Sequence, residues 1–548
     1  MAKLPPLMEL PIETADDGFY SGFNKHVAIT SKILVSALIV WAISVPENAA
    51  AVLGVLNAFL LKGFAAWYIY IVAFFILICV GLALIPSTGK LKLGTPDDKP
   101  EFSSFSWFSM MFGAGIGIGM LTFATAEPMY HFATNPDVIK GTTDASGANN
   151  VGSAYVWSFL HWGFSAWACY SLVGLSLAYF AYRRNLPLTI RSGLAPLFGE
   201  RLSGSVGHVV DVVAVVATIL GVAQTLGFGV EQFVSGLSRI GFGDWITAED
   251  GSPSAAGVVV ALVVIMGAST LSALSGVGKG IKWLSNINMG LSFFLLAFFI
   301  LFGSTFFGLG ALFNGLIEYI VRLPGILVTV WRPDGTETGD ALASWQEGWS
   351  VFYWAWWIAF APFVGVFLAR ISRGRSLREY IVGSVLVPSL MCFVWFTIVG
   401  GTAIDLTLNG EAGDLISGAG QSNQLFAMLD FMLSPTLAWI MAIVVVVLLL
   451  TYLVTTADSA VLIVNTINAA GEDTPKGRPH IVFWGIALSL VVGGLLIVGG
   501  LDAIKTAMVI GALPFSFVMV LMGIALVKAV VKDSIREKNG VINVHVES

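Results

Sequence analysis

The residues with the clearest capacity for chemistry are aromatic, and they lie where a membrane helix has least reason to hold them. The stretch Phe352-Tyr353-Trp354-Ala355-Trp356-Trp357-Ile358-Ala359-Phe360 sits in an apolar run from about Trp349 to Leu368, which puts Trp356 and Trp357 near its middle. Aromatics of membrane helices usually gather at the water–lipid boundaries, so this depth argues for a task other than anchoring. Trp162, Trp167 and Tyr170 lie equally deep in a second run. Electron-rich ring faces in a water-poor interior can hold an onium cation without a carboxylate partner, each contact contributing about 0.5–2 kcal/mol. The chemistry implied is recognition of a methylated onium solute.

A second feature is Phe112-Gly113-Ala114-Gly115-Ile116-Gly117-Ile118-Gly119-Met120, with glycine at every second position. Each interior glycine disfavours a helix by about 1 kcal/mol relative to alanine. Two readings follow: an unwound segment whose carbonyls and amides face a cavity, or close helix packing through the pairs Gly113/Gly117 and Gly115/Gly119. Further along, Thr455 and Thr456 follow Tyr452. Their hydroxyls, joined by carbonyls of an unwound strand, would make the oxygen shell a small hard cation such as sodium accepts, although such pairs also simply bond their own backbone. Asp458 is costly at that depth and reads as an ion or proton site or as a buried structural acceptor. His161 abuts Trp162, but the six histidines are scattered without ligand spacing, so no metal centre is expected. Neither HExxH nor a phosphate-cradling GxxxxGK[ST] occurs, which argues against a metalloprotease and against ATP-driven pumping.

These residues have to be positioned by membrane helices. Of 548 residues 56% are hydrophobic and 11% charged, far below the roughly 25% charged share of soluble domains. Apolar runs of about 20 residues, enough to cross ~30 Å of hydrocarbon, recur along the chain. Twelve are expected, centred near Ile39, Phe74, Gly119, Trp167, Leu220, Val263, Leu295, Ile358, Phe393, Val447, Leu488 and Val518. Threading them from a cytoplasmic start leaves only Lys62, Lys140, Arg239, Arg322, Arg332 and Lys505, of 28 lysines and arginines, in outside loops. The positive-inside rule then places both termini in the cytoplasm. The net charge of −6 and the lack of a basic tract give no surface for nucleic acid. Cys79, Cys169 and Cys392 fall singly in different runs, which suits small apolar packing better than a disulfide framework.

The expected organisation is a polar tail over 1–25, which lacks the apolar core of a signal peptide, one membrane domain over 26–528, and a short tail over 529–548. Within the domain two peripheral helices span 26–86 and a helix on the membrane surface spans about 313–332, with a simple helical loop as its alternative. Two five-helix units, 103–312 and 346–528, would be inverted repeats, since an odd number of spans reverses orientation. The fold class expected is therefore all-α, an integral membrane protein of twelve transmembrane helices with a five-plus-five inverted-repeat core.

The stretch WAWWIAFAPFVGVFLARISRGRSLR from Trp354 to Arg378 closely resembles the signature of the betaine/carnitine/choline transporters, and GAGIGIGM, ATAEPMYHF, HWGFSAWACY and TTADSA extend the resemblance over nearly the whole chain. The resemblance implies a sodium-symporter-type core, a homotrimer in the bacterial inner membrane, and onium substrates. By position it assigns Trp162, Trp167 and Tyr170 to one half of an aromatic box and Trp356 and Trp357 to the other, with Trp354 at its border. Ala114, Gly115 and Gly117 match the segment on which the substrate's carboxylate rests. Carbonyls of Gly113, Ile116 and Tyr452 and the hydroxyls of Thr455 and Thr456 match a sodium site. Sodium is thus the coupling ion implied, with no other cofactor.

Several positions depart from the family pattern. Phe360 stands where betaine carriers have a further tryptophan. Val222 replaces a threonine of a second sodium site, leaving Thr218 and Phe363. Gln224 and Thr225 replace small residues beside the substrate and could bond an additional oxygen. Gly119 stands where choline carriers tend to have aspartate, which favours a net-neutral zwitterion. The expectation is sodium-coupled import of glycine betaine or an analogue such as dimethylsulfoniopropionate, trimethylamine N-oxide or carnitine. A sodium-independent onium exchanger and proton-coupled choline uptake are the rivals within this family; a passive facilitator is the rival outside it. No nucleophile–base or metal constellation suggests an enzyme.

Overall fold

Local signals set the helix ends in the computed structural model, which describes residues 9–115, 117–249, 251–275, 280–472 and 477–539. The Asn24 side chain accepts the Val27 amide at 3.0 Å and starts α1 (Lys25–Ser44), satisfying one of the donors a first helical turn leaves open. Pro46 opens α2 (Pro46–Leu84), in the position where a missing N–H costs nothing. The chain continues through α3 (Ser104–Gly115), α4 (Gly117–Ala133), α5 (Val151–Trp162), α6 (Phe164–Ala178), α7 (Ser205–Leu237), α8 (Ala255–Ser275), α9 (Gly280–Phe302), α10 (Thr305–Ile326), α11 (Glu337–Gln346), α12 (Phe352–Arg370), α13 (Leu377–Trp395), α14 (Gly401–Leu408), α15 (Pro435–Asn468) and α16 (Arg478–Lys538). Shorter helical segments, such as Gln424–Met432, join these helices, and the only β-structure among the described residues is isolated bridge pairs.

Eleven helical segments of the described chain are long and apolar enough to cross a membrane. They correspond closely to the apolar runs, with three differences. The run centred on Gly119 is two shorter helices, α3 and α4. The last two runs form the single segment α16, broken at Gly499 and Gly500, whose backbone leaves the helical region. The third difference is α10, which starts at Thr305 and ends at Ile326 rather than covering 313–332. Its buried face packs on α5 through Gly315 and Tyr319 and on the Thr397–Ile398 backbone through Gly308, while Phe306, Phe313, Ile317 and Val321 are exposed.

The segment expected as a tail from residue 529 is helical to Lys538. Its Asp533 is buried, accepts the Tyr179 hydroxyl at 2.5 Å and pairs with Arg184 at 2.5 Å, and Glu537 pairs with Arg183. These contacts hold the end of α16 against α6 and its continuation.

The core that positions the aromatic residues centres on α7, which packs against α4, α12, α15 and α16. Its contact with α12 is close because Gly221 faces the Ala359–Phe360 backbone; an added Cβ would lie 2.8 Å from the Ala359 carbonyl carbon. On its other side α12 lies along α6, where Gly365 and Gly174 meet backbone to backbone. Small residues let membrane helices approach in this way where no hydrophobic force drives association.

Candidate functional site

Helical periodicity puts Tyr353, Trp356, Trp357 and Phe360 on one face of α12, at spacings of three and four. Trp356 and Trp357 stack with centroids 4.8 Å apart and planes inclined by 16°. Each indole N–H finds a partner, as buried tryptophans require. Trp356 donates to the Thr225 hydroxyl at 3.1 Å, which itself donates to the Gly221 carbonyl on α7. Trp357 donates to the His161 carbonyl at 2.8 Å. That carbonyl is free because α5 stops at Trp162, where Gly163 adopts φ −92° and ψ −131°, and terminal helix carbonyls lack an intrahelical partner.

The same interruption places Trp162 edge-on to the stack, 5.1 Å from Trp357 and 6.1 Å from Trp356. Tyr170, two turns further along α6, meets Trp357 at 6.0 Å and Phe360 at 6.2 Å, and Trp167 meets Tyr170 at 5.5 Å. Trp162, Trp167, Tyr170, Trp356, Trp357 and Phe360 are thus brought together, all buried. Trp354 is not part of this face; its ring packs on His161 at 5.8 Å.

Two glycines of the 112–120 run have a packing role. Gly113, Ala114 and Gly115 close α3 and Gly117 opens α4, so these positions are helical; Ile116 lies outside the described residues. Gly117 lies under the Tyr452 ring, where a Cβ would come within 2.0 Å, and Gly119 lies under Trp162, where it would come within 2.4 Å. Close approach of two aromatic rings accounts for these two glycines.

A correction concerns charge. From sequence the aromatic rings can hold an onium cation without a carboxylate, and Glu127 of α4 was not singled out; it lies directly behind the cluster, fully buried. Its Oε2 accepts the Trp162 indole N–H at 2.5 Å and the Tyr353 hydroxyl. Its Oε1 faces His161 Nδ1 at 2.8 Å and His131 Nε2 at 3.3 Å. His161 Nε2 in turn meets the Ser350 hydroxyl at 3.0 Å. Two of the six histidines expected to be scattered converge with a carboxylate: Glu127, His131 and His161 present ligand atoms within 4.8 Å of one another, a set that could hold a metal ion. Here they bond to each other instead. Two fixed donors, the Trp162 N–H and the Tyr353 O–H, and two imidazole nitrogens whose donor role depends on the tautomer surround the two carboxylate oxygens. The signal was present in ATAEPMYHF, since an ionisable residue inside a membrane span is by default a functional candidate. Phe123, Phe228 and Phe396 also border the cluster, at 5.5 Å from Trp162, 5.3 Å from Trp356 and 5.2 Å from Trp162, and nothing in local pattern distinguished them from ordinary packing.

Of the residues matched to sodium sites, Tyr452 and Thr455 adjoin α4 and α9. The Thr455 hydroxyl donates to the carbonyls of Thr451 and Tyr452 at 2.9 and 3.1 Å and accepts from Asn288 at 3.2 Å. The Tyr452 hydroxyl is 2.8 Å from Ser292. Thr456 is half-buried on the same helix. Thr218 donates to the Ala214 carbonyl at 2.7 Å beside buried Val222, and Phe363 packs on Phe360 at 4.9 Å.

The family model described as BCCT, betaine/carnitine/choline family transporter, matches residues 26–535. The chain belongs to this family. Among its relatives, the glycine betaine transporter OpuD of Bacillus subtilis is 35% identical over 513 residues, covering 93% of this chain and 95% of the relative. The osmo-independent choline transporter BetT1 of Acinetobacter baylyi is 37% identical over 477 residues, 85% and 86% of the two chains. The betaine/ectoine transporter LcoP of Corynebacterium glutamicum is 35% identical over 519 residues, 93% and 78%. The betaine/carnitine/choline family assignment makes this chain an integral membrane transporter, and the deep aromatic cluster is built from the motifs through which the resemblance was first legible.

Proposed function

We propose that this family member imports a zwitterionic onium solute, glycine betaine or a close analogue, together with sodium. The observation that carries the reading is the convergence of Trp162, Tyr170, Trp356 and Trp357 from three helices at one buried place. Such rings attract an onium group within about 6 Å of their centroids. In the described chain Trp162 and Tyr170 meet Trp357 edge to face while Trp356 stacks on it, so the solute's methyl groups would part Trp162 from Trp357. Gly119, which leaves room for the Trp162 ring and contributes no charge, favours a solute that carries its own carboxylate.

Sodium would lie between α3–α4 and α15, near Gly113, Ile116, Tyr452, Thr455 and Thr456. Asn288 supports this reading: its amide donates to Thr455, while its buried Oδ1 has no partner among the described residues and supplies a further oxygen. Hard cations prefer such all-oxygen surroundings. A second sodium near Thr218 and Phe363 is weakened by Val222, which presents no oxygen. In this reading the chain crosses a bacterial inner membrane twelve times, with α3–α4 as one crossing and α16 as two. Both termini are cytoplasmic, the core is a five-plus-five inverted repeat, and the assembly is a homotrimer.

The test is uptake of labelled glycine betaine by proteoliposomes under an inward sodium gradient, with choline, carnitine, dimethylsulfoniopropionate and trimethylamine N-oxide as competitors. Concentrative uptake that disappears when potassium replaces sodium supports the proposal. Equal uptake without sodium, or uptake only into vesicles preloaded with an onium compound, replaces it with the exchanger.

A further inference from the structure

The buried Glu127 carboxylate has four hydrogen-bonding neighbours, but among the described residues no lysine or arginine lies within ion-pair distance of it. Inside a membrane protein a carboxylate whose only basic neighbours are the imidazoles of His131 and His161 is unfavourably placed even when every lone pair is satisfied. Two of its donors are the ring systems that form the cluster. Trp162 stands edge-on to both tryptophans of the stack, and Tyr353 stacks on Trp356 at 6.0 Å and on Trp357 at 5.4 Å. An indole N–H or phenol O–H that donates to an anion gains electron density in its ring, and ring electron density is what attracts a cation to the face. In a water-poor interior the charge itself also reaches further than it would in solvent.

We infer that Glu127 is a positioning and polarising residue of the onium site. It orients Trp162 and Tyr353 by accepting their hydrogen bonds, and it supplies through them the negative potential that the solute's onium charge offsets. His131 and His161 are then the donors that complete the carboxylate's shell. This inference rests on the proposed onium function and specifies how that site tells a cation from an uncharged group of the same shape.

The experiment compares glycine betaine with 3,3-dimethylbutanoate, in which a quaternary carbon replaces the quaternary nitrogen and the carboxylate is kept. Both are measured as inhibitors of labelled betaine uptake and by direct binding to purified protein, in the wild type, Glu127→Gln and Glu127→Asp. In the wild type betaine should bind at least about tenfold more tightly than its carbon isostere; equal binding overturns the inference without any variant. In Glu127→Gln the ratio should shrink about tenfold, a change of about 1.4 kcal/mol in discrimination, and in Glu127→Asp, which keeps the charge, it should stay within about threefold of wild type. A merely structural role would weaken both ligands alike and leave the ratio intact, and that result also overturns the inference. If wild-type protein binds neither compound, the proposed onium function itself fails, and the inference falls with it.

Discussion

Replacing Gly119 by alanine probes the tightest contact of the aromatic cluster. A Cβ there would lie 2.4 Å from Cη2 and 2.8 Å from Cζ3 of Trp162. Restoring an ordinary 3.4 Å contact requires the ring to retreat by about 1 Å. The ring has little room, because Trp357, Phe396 and Phe123 border it at 5.1, 5.2 and 5.5 Å and its N–H is held by Glu127 at 2.5 Å. Overpacking of a dense core costs about 1–3 kcal/mol, and loss of a hydrogen bond to a charged group costs about 1.5–3 kcal/mol. If the second term is felt in binding, the apparent affinity for betaine falls about 10- to 150-fold. The assay is the KM for sodium-driven betaine uptake in proteoliposomes, with thermal unfolding in detergent as a measure of fold integrity. Gly63→Ala serves as the control, since a Cβ there meets nothing within 4 Å. A Gly119→Ala protein with wild-type unfolding temperature and a KM within about threefold of wild type would refute the claim that Trp162 is pinned between the glycine and the carboxylate.

Trp357→Ala removes the ring that touches Trp162, Tyr170 and Trp356 together, and should abolish uptake of every onium substrate; a KM change below about threefold would remove these rings from the binding site. Removing the hydroxyls of Thr455 and Thr456 together should raise the sodium concentration needed for half-maximal uptake by about tenfold or more while betaine binding at saturating sodium persists, and unchanged sodium activation would dismiss that site. In the connection between α4 and α5, burial pushes the Asp137 carboxyl up, but the Ser153 hydroxyl and the Arg322 guanidinium at 2.7 Å outweigh it and hold the group below its ordinary value. A depressed carboxyl contributes stability that is complete above the unfolded value, about 3.9, and is lost as pH falls through the folded one. Unfolding temperature should therefore drop below about pH 4 more steeply in the wild type than in Asp137→Asn; parallel acid limbs would show that this pairing carries no net stability.

The length and apolarity of each run, the deep placement of Trp162, Trp356 and Trp357, and the proline and asparagine signals at helix ends are local properties, and they specified an all-helical membrane protein with an unusual aromatic interior. Solvent decides such features residue by residue, since an apolar run must lie in lipid. Whether the alternating glycines unwind the chain or admit a neighbour is a different kind of question. Gly117 and Gly119 are seen to admit neighbours only through Tyr452 and Trp162, which arrive from other helices. The tertiary structure likewise decided that Trp354 turns away from the cluster and that Thr225 steadies Trp356. It also gathered Glu127, His131 and His161, which occupy unremarkable spacings, around one pair of oxygens. Hydrogen bonds and ring contacts depend on angstrom-scale distances between separate helices, and packing sets those distances where local pattern does not.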